Sequence, residues 1–530
     1  MADTTRPTPA SSPRSGLTAL DLVVLGIVLA LGILNLMQPL AWDQIMFALG
    51  AKRMHHGGVL YRDYWDPKQP GMFFFYELAG MLFGFDGIGF HTLELIAQLG
   101  LSCVLLITLR ERFERRWIAS VTPLLTVGWY YAVTSDWHLT QIESLVGLPL
   151  YLCGWWAVRA TEAPGRRGRY LLLSGAMGGV VLMLKLVFAP ILVAIWLMAL
   201  WRMESLRDVP RGRGPKLIPG RLAGALLTLI AGTLIAFAPL MAYFVTSPAL
   251  RLFWATTFIY PGQALSQLHT FRIHYLLSGL RWFCFTWSPL LVLTIVGLRA
   301  AARRGVDPLC AMLGLWLAVG FFVLMIQSLS YWEYQYLLLM VPVGLLAAYG
   351  LDAIWNGIER PVARVAVALA LLAIPHWYLV HKTAALAKHH FALAPADRAA
   401  YQAEVSFDRA IPRILDDAGF LMRPDARPGA IWVMGNPLIY WLTGREQAVP
   451  RNGASFIEYA TAPEWALLTE SLEKAQPSYV FVSESYLPMI ARSTDKCAGF
   501  LNWLATDYRV VRRSREGFWF ERALPRTMTR

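Results

Sequence analysis

The chain reads as an α-helical polytopic membrane protein of about eleven transmembrane helices, ending in a small extracytoplasmic α/β domain. Three observations lead there. Apolar stretches near spanning length recur between residues 17 and 380, and the connectors between them alternate between rich and poor in Lys and Arg. From residue 382 onward the composition becomes that of a soluble domain. Overall, 56% of the 530 residues are hydrophobic, 16% are charged, and the mean hydropathy is +0.45. A soluble domain carries about 25% charged residues. The formal charge of +13 sits largely between apolar runs, so it sets topology and gives no reason to expect nucleic-acid binding. Cys103, Cys153, Cys284, Cys310 and Cys497 are scattered and form no CxxC pair, so neither a disulfide framework nor a zinc site is implied.

Residues 1–16 are polar, rich in Ser, Thr and Pro, and carry Arg6 and Arg14, as expected of a disordered cytoplasmic tail. The run 17–37 exceeds a signal-peptide core and lacks a persuasive cleavage site, so it reads as an uncleaved first span. Span 88–109 returns to Arg110, Arg112, Arg115 and Arg116. Span 117–133 exits to a stretch without Lys or Arg, and 142–158 returns to Arg159, Arg166, Arg167 and Arg169. Residues 170–201 have arginines at both ends, which demands two short spans meeting outside near 185–190. Then 222–245 exits to a second outer loop at 246–276, and 277–298 returns. Span 308–327 exits, 336–355 returns, and 365–380 exits for the last time. The inner connectors and tail hold 21 Lys and Arg against 8 in the outer loops and at their edges, Arg281 included, although the inner segments are mostly shorter.

The plan is thus a tail at 1–16, a membrane domain at 17–381 with outer loops 39–87 and 246–276, and an extracytoplasmic domain at 382–530. In that last domain 430–434 and 478–483 read as buried strands, and 463–475 and 487–504 as helices. Segments 508–513 and 518–521 read as a hairpin. No phosphate-cradling Gly-rich loop occurs in it.

Side chains able to do chemistry gather at the outer ends of the spans. Asp43 stands about six residues beyond span one; taken alone, it is a solvated loop carboxylate. The same loop carries Asp66-Pro67-Lys68-Gln69-Pro70, then an aromatic stretch at 71–85 suited to a helix lying in the interface. Glu143 lies just inside the outer mouth of span four, where a carboxylate needs a polar cavity or a partner. Lys185 marks the tip of the short hairpin and Glu333 another outer mouth; interfacial snorkelling or a structural ion pair is the plainer reading of each. Arg251, Arg272 and Arg281 offer further cations in or beside the second outer loop. Tyr260, in Tyr260-Pro261-Gly262-Gln263, either shapes a binding site or sits in an ordinary turn.

Asp43, a Lys-Gln-Pro element about 25 residues on, the 71–85 stretch, Glu143, Lys185 near a short hairpin and an outer α/β domain form one pattern. It resembles the GT-C superfamily of membrane glycosyltransferases, above all the protein O-mannosyltransferase and lipid A aminoarabinose transferase group (glycosyltransferase family 39/83-like). The pattern departs at Gln44, where many relatives have Glu, and at Gln69, where they have Pro. The resemblance implies transfer of a hexose or pentose from a polyprenyl-phosphate carrier to a hydroxyl of an envelope glycan, lipid or protein. The transfer would be inverting and would take place at the outer face of the cytoplasmic membrane. Asp43 is then the general base, with Glu143 as a second catalytic acid. Lys68, Lys185 and one of Arg251, Arg272 or Arg281 balance the leaving phosphate. Asp66, Tyr260 and Glu333 complete the substrate-binding set. No cofactor is expected, and a divalent metal stays open. The expected partners are the lipid-linked donor, the acceptor and membrane lipids, with no nucleic acid. A secondary transporter or lipid-linked-sugar flippase is the alternative, but that would place ionisable groups near the midplane on broken helices.

Overall fold

The computed structural model describes residues 16–113, 115–205, 219–267, 273–327, 331–357, 359–454 and 457–523. Arg272 and the expected tail, apart from Gly16, lie outside these residues. Apolar runs fold as helices because a backbone facing lipid can satisfy its N–H and C=O groups only within the segment. In chain order the first helices are α1 Ala19–Asn35, α2 Trp42–His55, α3 Pro70–Phe83 and α4 Gly87–Leu109. A kinked segment follows, α5 Arg116–Pro123 and α6 Trp129–Val133, joined by a π-helical turn after Pro123. The short α7 Ile142–Leu145 runs into α8 Gly147–Glu162; α9 Arg167–Leu184 and α10 Ala189–Ser205 follow, joined by a short turn at 185–188. Next come α11 Pro219–Thr246, α12 Leu250–Trp254, α13 Tyr260–Ser266, α14 Ile273–Thr286 and α15 Ser288–Arg304. The membrane part closes with α16 Pro308–Ile326, α17 Met340–Gly357 and α18 Pro361–Lys388. Among the described residues six helices are long and apolar enough to cross a membrane, or seven if one bent pair counts as a span. The protein is a multi-pass membrane protein.

The structure departs from the sequence reading in four places. Residues 39–87 are not an open loop before the interfacial helix, because Trp42–His55 is itself a helix, with Phe47, Ala51 and Met54 on its buried face. The expected span 277–298 is two helices, α14 and α15, bent by 80°. Pro289, which lacks a backbone N–H, sits in the first turn of α15 and forces the restart. The turn expected at Tyr260 is the start of α13, with Pro261 at an N-terminal position that tolerates it. The helix expected at 487–504 breaks at Ser493 into Leu487–Arg492 and Thr494–Asp507.

The C-terminal region begins with α19 Pro395–Val405 and α20 Ile411–Leu421, then builds a four-stranded sheet of order β1-β2-β4-β3. Its strands are β1 Ile431–Met434, β2 Tyr479–Ser483, β3 Tyr508–Arg513 and β4 Gly517–Arg522. β1 and β2 are parallel, and β4 is antiparallel to both β2 and β3. Because side chains alternate along a strand, the sheet faces two cores. Trp432, Met434, Val480 and Val482 pack with Trp465, Phe500 and Trp503 of the domain's own helices. Ile431, Val433, Tyr479 and Phe481 belong to the core continuous with the membrane helices. The domain is therefore docked on the bundle through a packed apolar face.

Candidate functional site

Past α1 the chain turns at Trp42, whose φ of +26° lies in the left-handed region that a tryptophan rarely adopts. Its indole N–H donates to Asp408 Oδ2 at 3.0 Å, so the turn is held by the C-terminal region. Asp43 follows in the first turn of α2, where the helix dipole favours a negative charge. Its Oδ1 lies 3.2 Å from Lys68 Nζ, and its Oδ2 accepts the Tyr334 hydroxyl at 2.7 Å. Gln44, fully buried, donates from Nε2 to the carbonyls of Asp136 and Leu139, both at 2.6 Å. A glutamate there would set an acceptor against two carbonyl oxygens, so the amide at this position has a structural reason.

Lys68 is placed by its own loop. Asp66, completely buried, accepts the Lys68 backbone N–H at 3.0 Å and its Nζ at 3.3 Å through one oxygen. Tyr61 donates its hydroxyl to the Lys68 carbonyl at 2.7 Å, and Nζ stands 5.3 Å above the Phe47 ring. Burial alone would lower the lysine pKa, but Asp43 and Asp66 outweigh it and hold the ammonium above its ordinary value. Lys68 is thus a permanent cation between two carboxylates.

Pro70 then opens α3, with Gly71 in its first turn. A Cβ on Gly71 would come within 2.6 Å of the Met183 carbonyl oxygen, so glycine is what lets α3 touch the end of α9. Lys185 lies just past that end, and its Nζ bonds Glu143 Oε1 at 2.6 Å. The Glu143 side chain is 1% exposed, and its Oε2 has no hydrogen-bond partner among the described residues. Beside Gln69 and Pro70 lies a narrow apolar cleft of about 20 Å³, lined by Leu182, Met183, Leu186, Phe237, Leu240 and Phe253 among others.

The structure therefore brings together Asp43, Asp66 and Lys68, and separately Glu143 with Lys185, from segments far apart in sequence. Glu333 stands apart from both groups of charges: it accepts the Ser278 hydroxyl at 3.3 Å and lies within electrostatic reach of Arg281. Tyr334, its neighbour, is the residue that touches Asp43. Sequence reasoning missed it, although the run Tyr331-Trp332-Glu333-Tyr334-Gln335-Tyr336 held the signal. Tyr260 packs edge-on against Trp65 at 5.0 Å, under the Arg451 guanidinium, and so braces the residue before Asp66. Arg251 and Arg281 are exposed. Among the described residues no cluster of three His, Cys, Asp or Glu is arranged to hold a metal.

Comparison with family models and with curated proteins finds no match. Among solved structures, ArnT from Cupriavidus metallidurans in the apo state is similar at 14% sequence identity and a TM-score of 0.57. The likeness covers 94% of this chain and 97% of that one. The archaeal oligosaccharyltransferase AglB from Archaeoglobus fulgidus, in complex with an inhibitory peptide and a dolichol-phosphate, is similar at 12% identity and a TM-score of 0.47. That match covers 96% of this chain and 75% of that one. At 14% identity the likeness to ArnT is one of fold, extending over the membrane helices and the C-terminal domain alike. The fold observed is thus similar to that of ArnT.

Proposed function

We propose that this protein is a membrane glycosyltransferase that moves a sugar from a polyprenyl-phosphate carrier to an acceptor hydroxyl of an envelope glycan, lipid or protein. The observation that carries the reading is the Asp43–Lys68–Asp66 cluster, set beside the Glu143–Lys185 pair and an apolar cleft. Asp43, 22% exposed at its side chain, is the general base. As the acceptor oxygen bonds to the anomeric carbon, Asp43 takes its proton. The bond from that carbon to the carrier phosphate breaks, and its electron pair leaves with the phosphate. Lys68 and Lys185 balance the charge that grows there in a partly dry site. One displacement inverts the anomeric centre.

Lys68 has a second use in this scheme. A phosphate reaching its ammonium competes with Asp43 for it, which frees Oδ1 to act as a base only once the donor is in place. The bias of Lys and Arg toward alternate connectors supports a cytoplasmic N-terminus, eleven spans, and the domain at 382–530 on the outer side of the cytoplasmic membrane. Mass spectrometry of envelope glycans and glycolipids, with and without the gene, tests the reading. Loss of one sugar from one species is expected; an unchanged profile in cells that normally make the protein contradicts it.

A further inference from the structure

The turn between α6 and α7 carries an unusual residue. Thr140 has φ +50°, in the left-handed region, where a β-branched side chain is a true outlier. Such a conformation persists only where the surroundings impose it. Here the agent is Glu94, two turns into α4 and 1% exposed. Its Oε2 accepts both the backbone N–H of Thr140, at 2.9 Å, and the Thr140 hydroxyl, at 2.8 Å. Its Oε1 accepts the Tyr130 hydroxyl. His91, one turn earlier on α4, adds a bond from Nδ1 to the Thr140 hydroxyl at 2.7 Å. The same turn is held from its other side by Gln44, through the carbonyls of Asp136 and Leu139. Gln44 adjoins Asp43, and Thr140 lies three residues before Glu143.

Resting on the function proposed above, we infer that Glu94 is a positioning residue: it locks Thr140 in the left-handed conformation and thereby holds Glu143 in place against Lys185. Glu94 reaches neither Asp43 nor Lys68 and does not act on substrate. Its carboxylate supplies two acceptor oxygens to three donors on the turn and on α6, and a glutamine there supplies one. With Glu94→Gln the Thr140 N–H competes for that single oxygen, and Thr140 relaxes toward a conformation that turns Glu143 away.

The test uses the full-length protein returned to a deletion strain, reading the envelope product that disappears with the gene, per mole of inserted protein. Glu94→Gln is expected to lower the product at least tenfold. Binding of decaprenyl monophosphate to the purified protein in nanodiscs should stay within about twofold, because Lys68 and Lys185 both keep their charge. The decisive variant is Glu94→Gln combined with Thr140→Gly. Glycine adopts positive φ freely, so it needs no carboxylate to hold it, and product should recover to within about threefold of the native level. Thr140→Gly alone should stay near native. Full product from Glu94→Gln overturns the inference. So does failure of Thr140→Gly to rescue a variant that is inserted in normal amounts, since a merely structural loss would not answer to a glycine at that position. Asp43→Asn is the control: full product from it removes the catalytic reading itself, and this inference with it.

Discussion

Asp43 divides its two oxygens, one toward Lys68 at 3.2 Å and one under the Tyr334 hydroxyl at 2.7 Å, and this division fits a base held ready but restrained. Asp43→Asn preserves shape and both neighbours while removing the capacity to accept a proton, so insertion and yield should be unchanged. Turnover should fall by about 10² to 10⁴, measured as product per mole of purified protein; near-native turnover would reduce Asp43 to a structural carboxylate. Asp136 gives a prediction of a different kind. It is fully buried, and although it accepts the Ser406 hydroxyl at 2.8 Å and the Phe407 N–H at 3.1 Å, burial pushes its carboxyl from the ordinary 3.8 up to about 6. A carboxyl whose folded pKa is raised contributes stability that is fully present below about pH 4 and is lost as the pH rises through about 6. The change is on the order of 3 kcal/mol. Thermal unfolding in detergent between pH 4 and 7 should therefore show a decline that Asp136→Asn flattens; equal slopes in both proteins would count against it.

At the scale of elements, the site depends on two close approaches. Gly71 lets α3 meet the end of α9, and Gly50 lets Phe73 and Tyr64 lie against α2. Gly71→Ala places a carbon against backbone atoms of Met183 and Leu184, which cannot swing aside like a side chain. The two helices should separate, moving Lys68 away from Lys185. We expect transfer to drop at least tenfold and the melting temperature to fall by a few degrees, consistent with roughly 1–3 kcal/mol of overpacking. Native activity and melting would show that the contact is slack.

These elements also mark what the sequence could reveal. The strongly apolar runs were legible because their length and flanking charges are direct consequences of the bilayer. Asp43, Lys68, Glu143 and Lys185 stood out because ionisable groups at span ends need a reason to be there. Helix α2 did not stand out: Gly50 interrupts it and Lys52, Arg53 and His55 crowd its last turn, so its weak local preference gives way to tertiary packing against α3. The pairing of Glu143 with Lys185, and of Asp43 with Tyr334 across 291 residues, depends on how distant helices meet, and no local pattern encodes that.

Taken as a whole, the molecule sets a packed bundle beneath a domain whose sheet shares its core. The C-terminal region also grips the loops of the proposed site directly, through Asp408 on Trp42 and through the Pro450 carbonyl, which accepts the Trp65 N–H at 2.9 Å. In the proposed topology that region and the site lie on the same, outer side. A reporter active only in the cytoplasm, appended to the C-terminus, should be silent, and strong signal from it would place the domain on the wrong side for this site. The most direct test of the central claim is transfer by the purified protein in lipid nanodiscs, with envelope extract from the deletion strain as acceptor. A polyprenyl-phosphate sugar and the corresponding nucleotide sugar are offered in parallel, and the anomeric configuration of the product is read by NMR. The account predicts transfer from the lipid-linked donor alone, with inversion, weakened by Lys68→Met and abolished by Asp43→Asn. Equal transfer from the nucleotide sugar without any lipid carrier, or a product of retained configuration, would contradict it.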